Sequence, residues 1–517
     1  MKKGTIFIAA LAMLLPGMAR ADWFKVTSPH FTVYAEGKPD ELKTYIAKLE
    51  RYDGAMRILY GVPDTAVGSS SRVTIFVVRD AAKAVGMDNI LGVYMPRPGG
   101  PVAFASKDDE EDVRGISRMG IETSAPLTAQ AVLFHEYAHH FMFTAWPDVP
   151  FPAWLAEGFA EYNGPSIIGK DGSVSIGAPP NYRAGGARSD EMSAADLLRS
   201  DTAKLDFDEV QALYGRGWLL VHYLMADPDR QKELNVFLKA LTAGTDPVKA
   251  GTAAFGDLHA LDRKLNEHAN ARIMGKTIRG SAIKVGKIDI RPLTEAEDAV
   301  MPALLRSKAG VSDKTAPDVA KLAERLAKPF PTDPAAQNEL AEAEFDAKNY
   351  EAADAAAARA LSADPKSLHA TIYRGKAEME IAKRDKVTDP GRWKAIRAWF
   401  GAANRLDTEN AEPLDLFYQS YVAAGEAPTK NAEDGLLYAE VLAPFDSGLR
   451  LEAATVLLNR KQVPAARTVL QSLAANPHAG DEAKFATKIV ADIDAGDIKK
   501  AQADLAAGPS KKDEDKK

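Results

Sequence analysis

The 517-residue chain contains no cysteine. That excludes stabilisation by disulfides, a lipid anchor attached through cysteine, and any thiolate metal ligand. A membrane-spanning run is missing too, since the apolar stretch from Ile6 to Leu15 falls short of the roughly 20 residues needed to cross a bilayer. Lys2 and Lys3 precede this stretch, while a Pro16-Gly17 break and Ala19-Arg20-Ala21 follow it. Together they lead us to expect a signal peptide over residues 1–21, a mature chain from Asp22, and a periplasmic or secreted protein with no stable membrane span. An uncleaved anchor is the alternative. Nor does one sign of charge dominate: the net charge is -7, with both signs interspersed, which argues against a nucleic-acid partner. With 46% hydrophobic residues, a chain of this length is expected to fold as roughly two to four domains with substantial cores.

Histidine is scarce as well, at 9 residues, yet three fall in His135-Glu136-Tyr137-Ala138-His139-His140. On a helix, residues four apart are neighbours, so His135 and His139 can meet one ion while Glu136 reaches its open position. This layout suits zinc, with Glu136 as general base toward an activated water. The pattern would arise by chance in on the order of one such chain in a hundred. Zinc needs a third ligand, and Glu157 follows after 17 intervening residues in Trp154-Leu155-Ala156-Glu157-Gly158-Phe159-Ala160-Glu161-Tyr162, which reads as a second helix. The result is a two-histidine, one-glutamate set for one Zn²⁺. The alternative is a buried helix whose histidines are satisfied by carboxylates.

These two segments resemble the gluzincin metallopeptidases, the group that includes thermolysin and the zinc aminopeptidases. The resemblance implies His135, His139 and Glu157 as metal ligands and Glu136 as the base that later passes its proton to the leaving amine. It also implies that Glu161, one turn beyond Glu157, orients His135 and fixes its tautomer. A third match, Tyr214-Gly215-Arg216-Gly217-Trp218-Leu219-Leu220-Val221-His222-Tyr223-Leu224, is similar to the aminopeptidase segment whose leading tyrosine stabilises the oxyanion. Tyr214 takes either that role or a packing role at the start of an amphipathic helix, and His222 reads as structural. One departure limits the likeness. Pro98-Gly99-Gly100-Pro101-Val102-Ala103-Phe104-Ala105 lacks the acidic residue with which aminopeptidases hold a substrate amino terminus, so exopeptidase action is unsupported.

The expected fold class is α+β: a gluzincin-type metallopeptidase domain with a mixed sheet plus zinc-binding helices, followed by an all-α TPR-like helical repeat domain. Residues 22–273 form the first domain, with an α+β part over 22–190 and a helical part over 191–273. Within it, Phe24–Val26, His30–Tyr34, Arg72–Val78, Leu91–Tyr94 and Val102–Ala105 read as strands, and Asp40–Tyr60 as a helix. The last two strands form a hairpin that is either a substrate-binding rim, pairing with extended peptide backbone, or an ordinary part of the sheet. The acidic run Asp108–Asp112 is a solvated loop or a feature that prefers basic substrates. A Gly- and Pro-containing excursion between Gly164 and Gly186, with a hairpin at Ile167–Ile176, is placed to wall the cleft.

Residues 274–330 read as a joining region, with a β-prone piece at Ile283–Ile290 and a helix at Ala316–Ala327. From 331 to 502 the chain resembles tetratricopeptide repeats. The first unit, Asp333 to Pro365, has small residues Ala341, Ala353 and Ala360, Tyr350 opening its second helix, and Pro365 closing it. Weaker units follow at about 368–409 and 434–477, and an irregular helical bundle is the alternative. Residues 503–517 are expected to be a disordered tail. The function expected is an exported zinc peptidase acting on a peptide or protein substrate, its repeats docking a protein partner or that substrate. The alternative is a TPR adaptor whose zinc site is structural or catalytically silent; intact Glu136 weighs against it, as a structural site has no use for that carboxylate.

Overall fold

The computed structural model describes residues 23–65, 68–86, 90–107, 127–200 and 202–509. The expected signal peptide, the acidic run Asp108–Asp112 and the last part of the expected tail lie outside them. No helix among the described residues is long and apolar enough to cross a membrane.

The sheet begins with β1 (Trp23–Thr27) and β2 (Phe31–Glu36), followed by α1 (Pro39–Tyr60), β3 (Val73–Val78), a short α2 (Ala81–Val85), β4 (Gly92–Met95) and β5 (Val102–Ser106). Strand order is β4-β5-β3-β2-β1-β9, where β9 (Asp289–Pro292) returns from the joining region to pair antiparallel with β1. β2, β3 and β5 run parallel, whereas β4 lies antiparallel to β5 with Tyr94 opposite Ala103. The sheet is therefore mixed, with β4 and β9 as its edge strands among the described residues. Alternation explains its two faces: Val33, Val73, Ile75 and Ala103 turn toward α1 and the helices that follow, while Phe76, Val102 and Phe104 turn the other way.

α3 (Ala129–Ala145) carries the first motif and α4 (Ala153–Asn163) the second. Thr128 caps α3, its hydroxyl accepting from the Ala131 N–H at 3.0 Å. Leu133, Phe134, Ala138, Phe141 and Met142 are all buried, as expected of a helix enclosed by neighbours rather than facing water on one side. Tyr52 of α1 stacks on Phe134, and the Tyr137 hydroxyl donates to Asp53 at 2.7 Å, locking the rotation of α3 about its axis.

The excursion forms strands β6 (Ile167–Ile168) and β7 (Val174–Ile176), completed as a small sheet by β8 (Lys276–Ile278). The helical part consists of short α5 (Ala184–Ala187) and α6 (Ala194–Leu198), then α7 (Phe207–Met225), α8 (Pro228–Thr242), α9 (Pro247–Phe255) and α10 (Leu258–Ala269). α7 starts at a reciprocal capping box between Asp206 and Glu209. It crosses α4 at very short range, because Gly158 and Gly217 face each other: a Cβ on Gly158 would run into the Gly217 carbonyl, and one on Gly217 would sit 2.6 Å from the Trp154 carbonyl oxygen.

α11 (Glu295–Ala309) covers the second sheet face through Met301, with Leu293 just before the helix joining the same cluster. Antiparallel helix pairs then follow: α12 (Ala316–Ala327), α13 (Pro334–Asp346) with α14 (Tyr350–Ala363), α15 (Leu368–Arg384) with α16 (Pro390–Leu406), α17 (Ala411–Ala423) with α18 (Lys430–Leu442), α19 (Ser447–Asn459) with α20 (Val463–Ala475), and α21 (Gly480–Asp494) with α22 (Ile498–Ala507). The chain thus has an all-α helical-repeat region. Ala341, Ala353 and Ala360 are fully buried at the first pair, where small side chains let the helices approach. More pairs are present than the three units expected, and the unit placed at 434–477 begins inside α18. α22 runs into the segment expected as tail, held by buried Leu505.

The repeat region folds back onto the first domain. Ser70 Oγ accepts from the Ala411 N–H at 2.7 Å, Ser71 Oγ donates to the Leu442 carbonyl, Ser472 Oγ donates to the Pro147 carbonyl at 2.7 Å, and the Gln471 side chain donates to the Leu241 carbonyl. Phe445 packs on the His140 ring.

Because the α4–α7 crossing has no room for a methyl group, Gly217→Ala is expected to lower stability by about 1–3 kcal/mol through overpacking. Chemical denaturation measures this, and an unchanged midpoint would show that the crossing can open without cost.

Candidate metal centre

His135 and His139 project from one face of α3 with their Nε2 atoms 3.2 Å apart. Glu157 Oε2, from α4, lies 3.5 Å from His135 Nε2 and 3.6 Å from His139 Nε2. Ligand atoms about 2.0–2.1 Å from a tetrahedral zinc stand roughly 3.3 Å from one another, so this triangle has the dimensions of three corners of such a site. The donor chemistry fits as well: two imidazole nitrogens and a carboxylate oxygen leave the fourth corner for water or substrate. Glu157 is 1% exposed, and among the described residues its Oε2 has no hydrogen-bond partner. A buried carboxylate oxygen in that condition is costly unless a cation meets it.

The electrostatics reflect the same crowding. Burial opposes a charged His135, yet the carboxylates of Glu157, Glu161 and Glu136 outweigh it and raise the metal-free imidazole to about 9. Burial, reinforced by His478, pushes His139 down to about 4, which keeps its ring neutral and available as a ligand. Burial alone would raise Glu157, but His139, His135 and His478 hold it well below the usual carboxylate range. Burial raises Glu136, with Glu157 adding to the effect and His135 and His478 opposing it. Glu136, next along the helix from His135, borders a small apolar cavity with Tyr94, Tyr137 and Leu133.

Glu161 Oε1 is 3.6 Å from His135 Nδ1, longer than a hydrogen bond, and the same oxygen accepts from Arg183 at 2.9 Å and 2.8 Å. The carboxylate is thus beside the first histidine but anchored by an arginine from the excursion. Arg183 also lies over the Tyr214 ring, with its guanidinium carbon 4.5 Å from the centroid. Tyr214 stacks on His135 at 6.2 Å between ring centroids, and burial followed by the charge of Glu157 raises its hydroxyl above the ordinary tyrosine value. The close α4–α7 crossing is what brings Tyr214 to this position.

His140 points the other way, bonded to the Tyr94 hydroxyl at 2.8 Å and the Ser71 carbonyl at 3.1 Å. His222 pairs with His268 at 2.9 Å, remote from the metal triangle. Sequence reasoning missed two neighbours of the centre. Arg183 gave no signal beyond lying in the excursion. His478 sits between α20 and α21, and its Nε2 approaches Glu157 Oε1 to 3.2 Å.

A second grouping, His30, Glu50 and Asp53, is fully buried. Here the charges balance internally: the His30 Nδ1 bonds Glu50 at 2.8 Å, and Arg57 bonds Asp53 at 2.7 Å. No cation is needed, and the group reads as a structural pair network.

No family model and no curated protein matches the chain. Solved structures with partial likeness are a thermophilic TPR protein of Thermus thermophilus (19% identity, 37% of this chain and 97% of that one, TM-score 0.30), PilF of Pseudomonas aeruginosa (14%, 41% and 90%, TM-score 0.32) and yeast Tom70 (10%, 71% and 82%, TM-score 0.26).

The purified chain is expected to bind one zinc, lost in Glu157→Ala and kept in Glu50→Ala; two equivalents would assign metal to the second grouping. Since the flanking carboxylates raise metal-free His135 to about 9, zinc uptake at about pH 6, below the range in which a zinc-bound water ionises, should displace about one proton from that imidazole. Calorimetry in buffers of different ionisation enthalpy reads this directly, and uptake at that pH with no proton release would contradict the assignment.

Proposed function

We propose that the chain is an exported zinc-dependent peptidase of gluzincin type. The observation that carries the proposal is the convergence of His135, His139 and Glu157 into a tetrahedral-sized triangle with Glu136 next along the same helix. Bound there, zinc would supply Lewis acidity toward water and a peptide carbonyl. Glu136, its proton affinity raised by burial, is suited to accept a proton from water and return it to the departing amine. Tyr214, uncharged and beside Glu157, is suited to donate a hydrogen bond as the carbonyl oxygen gains negative charge. Arg183 and Glu161 fix the surroundings of His135 and Tyr214 by a charge-assisted bond and cation–π contact. β4, an edge strand whose Tyr94 shares a cavity lining with Glu136, is where an extended substrate backbone would add. Export rests on the amino-terminal Lys2-Lys3 and Ile6–Leu15 pattern.

A second reading is an adaptor whose helical-repeat region binds proteins and whose metal site is silent. Two observations favour it: the extent of the repeat region, and the presence of His478 over the centre, where it narrows access to the ligands. The two readings part on catalysis.

With zinc-loaded protein and a mixed peptide library, the parent should cleave and Glu136→Gln should lose on the order of a hundredfold or more in rate while keeping its metal. Full zinc occupancy with no cleavage by the parent would favour the adaptor. Tyr214→Phe is expected to lower turnover by on the order of a hundredfold with zinc content unchanged. Unaltered turnover in that variant would remove Tyr214 from the chemistry.

A further inference from the structure

His478 is separated from the other residues of the centre by more than half of the chain and reaches it only because the repeat region folds back. Its turn is well defined. The Asn476 side chain accepts from the His478 N–H at 3.0 Å, the Ala479 N–H donates to the Asn476 carbonyl at 3.2 Å, and Pro477 restricts the backbone between them. Immediately before it, Gln471 and Ser472 tie α20 to the first domain.

The imidazole meets one particular atom. Its Nε2 is 3.2 Å from Glu157 Oε1, the oxygen opposite the Oε2 that faces His135 and His139. Its ring stands edge-on to His139 with centroids 4.4 Å apart. A carboxylate can rotate about its terminal bond, and a donor on one oxygen fixes where the other one points. His478 thus occupies the place from which Glu157 can be held with Oε2 turned to the metal.

Resting on the zinc reading above, we infer that His478 is a positioning residue, supplied by the repeat region, that holds Glu157 for the metal and so links zinc binding to the seating of the helical repeats. Linkage is reciprocal: if the seated repeats favour zinc, zinc favours seating to the same degree. The opposite possibility has an opposite sign. Were His478 simply a cation filling the metal-free site, its removal would leave zinc affinity unchanged or improve it.

The test uses the full chain as parent, His478→Ala and His478→Gln, with zinc titrated against a chromophoric chelator and limited proteolysis run with and without zinc. His478 has a side chain 46% exposed and lies in a turn, so His478→Ala should fold, with metal-free melting lowered only by the lost contact to Glu157. Its zinc affinity should fall ten- to a hundredfold, the size expected for loss of a ligand's supporting bond. His478→Gln, whose amide can still donate to Oε1, should recover most of the affinity. Zinc should slow cleavage between the repeats and the first domain in the parent and do so less in His478→Ala. Equal or tighter zinc binding by His478→Ala overturns the inference. Absence of zinc binding by the parent would instead sink the metal assignment itself, so the two failures are distinguishable.

Discussion

Glu157 is a carboxylate taken out of water, flanked by imidazoles, and left with one oxygen lacking a hydrogen bond among the described residues. Such an arrangement is sustained only if positive charge arrives close by. Three features of the fold converge on that requirement. α3 presents two histidines one turn apart, the Gly158–Gly217 contact draws α4 against α7 so that Glu157 and Tyr214 share one volume, and the returning repeats bring His478 to the remaining oxygen. In the metal-free protein, protonated His135 supplies part of the charge; a bound ion would take over that role and displace the proton.

The sheet serves this arrangement without contributing ligands. Its first face is the bed on which α1 and α3 pack, with Tyr52, Phe134 and Tyr137 setting the rotation of α3. A rotation of one residue on that helix would carry His135 and His139 out of the triangle and bring in His140, which here bonds Tyr94 of β4. The packing that fixes rotation therefore fixes which side chains meet Glu157. β9 and β4 are the two edge strands of the sheet among the described residues, and β4 is the one that packs beside α3.

Much of this was legible in residue order because it is local. The four-residue spacing of His135 and His139 is meaningful only on a helix, and the alternation in Val73–Val78 only in a strand. Glu157 could be matched because it sits in a segment with its own pattern, and Gly158 belongs to that pattern for a steric reason now visible at Gly217. The extent of the repeats was less legible: after the first unit the small buried positions are filled by varied residues such as Trp393 and Phe400, which blurs the period. Arg183 and His478 could not be found at all. Their positions arise from tertiary contact, and nothing in the neighbourhood of Asn476-Pro477-His478 distinguishes a turn that closes a helix pair from one that reaches Glu157.

Anomalous diffraction at the zinc edge, from crystals of the zinc-loaded chain, would locate the ion. A single strong peak is expected about 2.0–2.2 Å from His135 Nε2, His139 Nε2 and a Glu157 oxygen. A peak elsewhere, or a Glu157 side chain turned away from the two imidazoles in the loaded protein, would contradict this expectation.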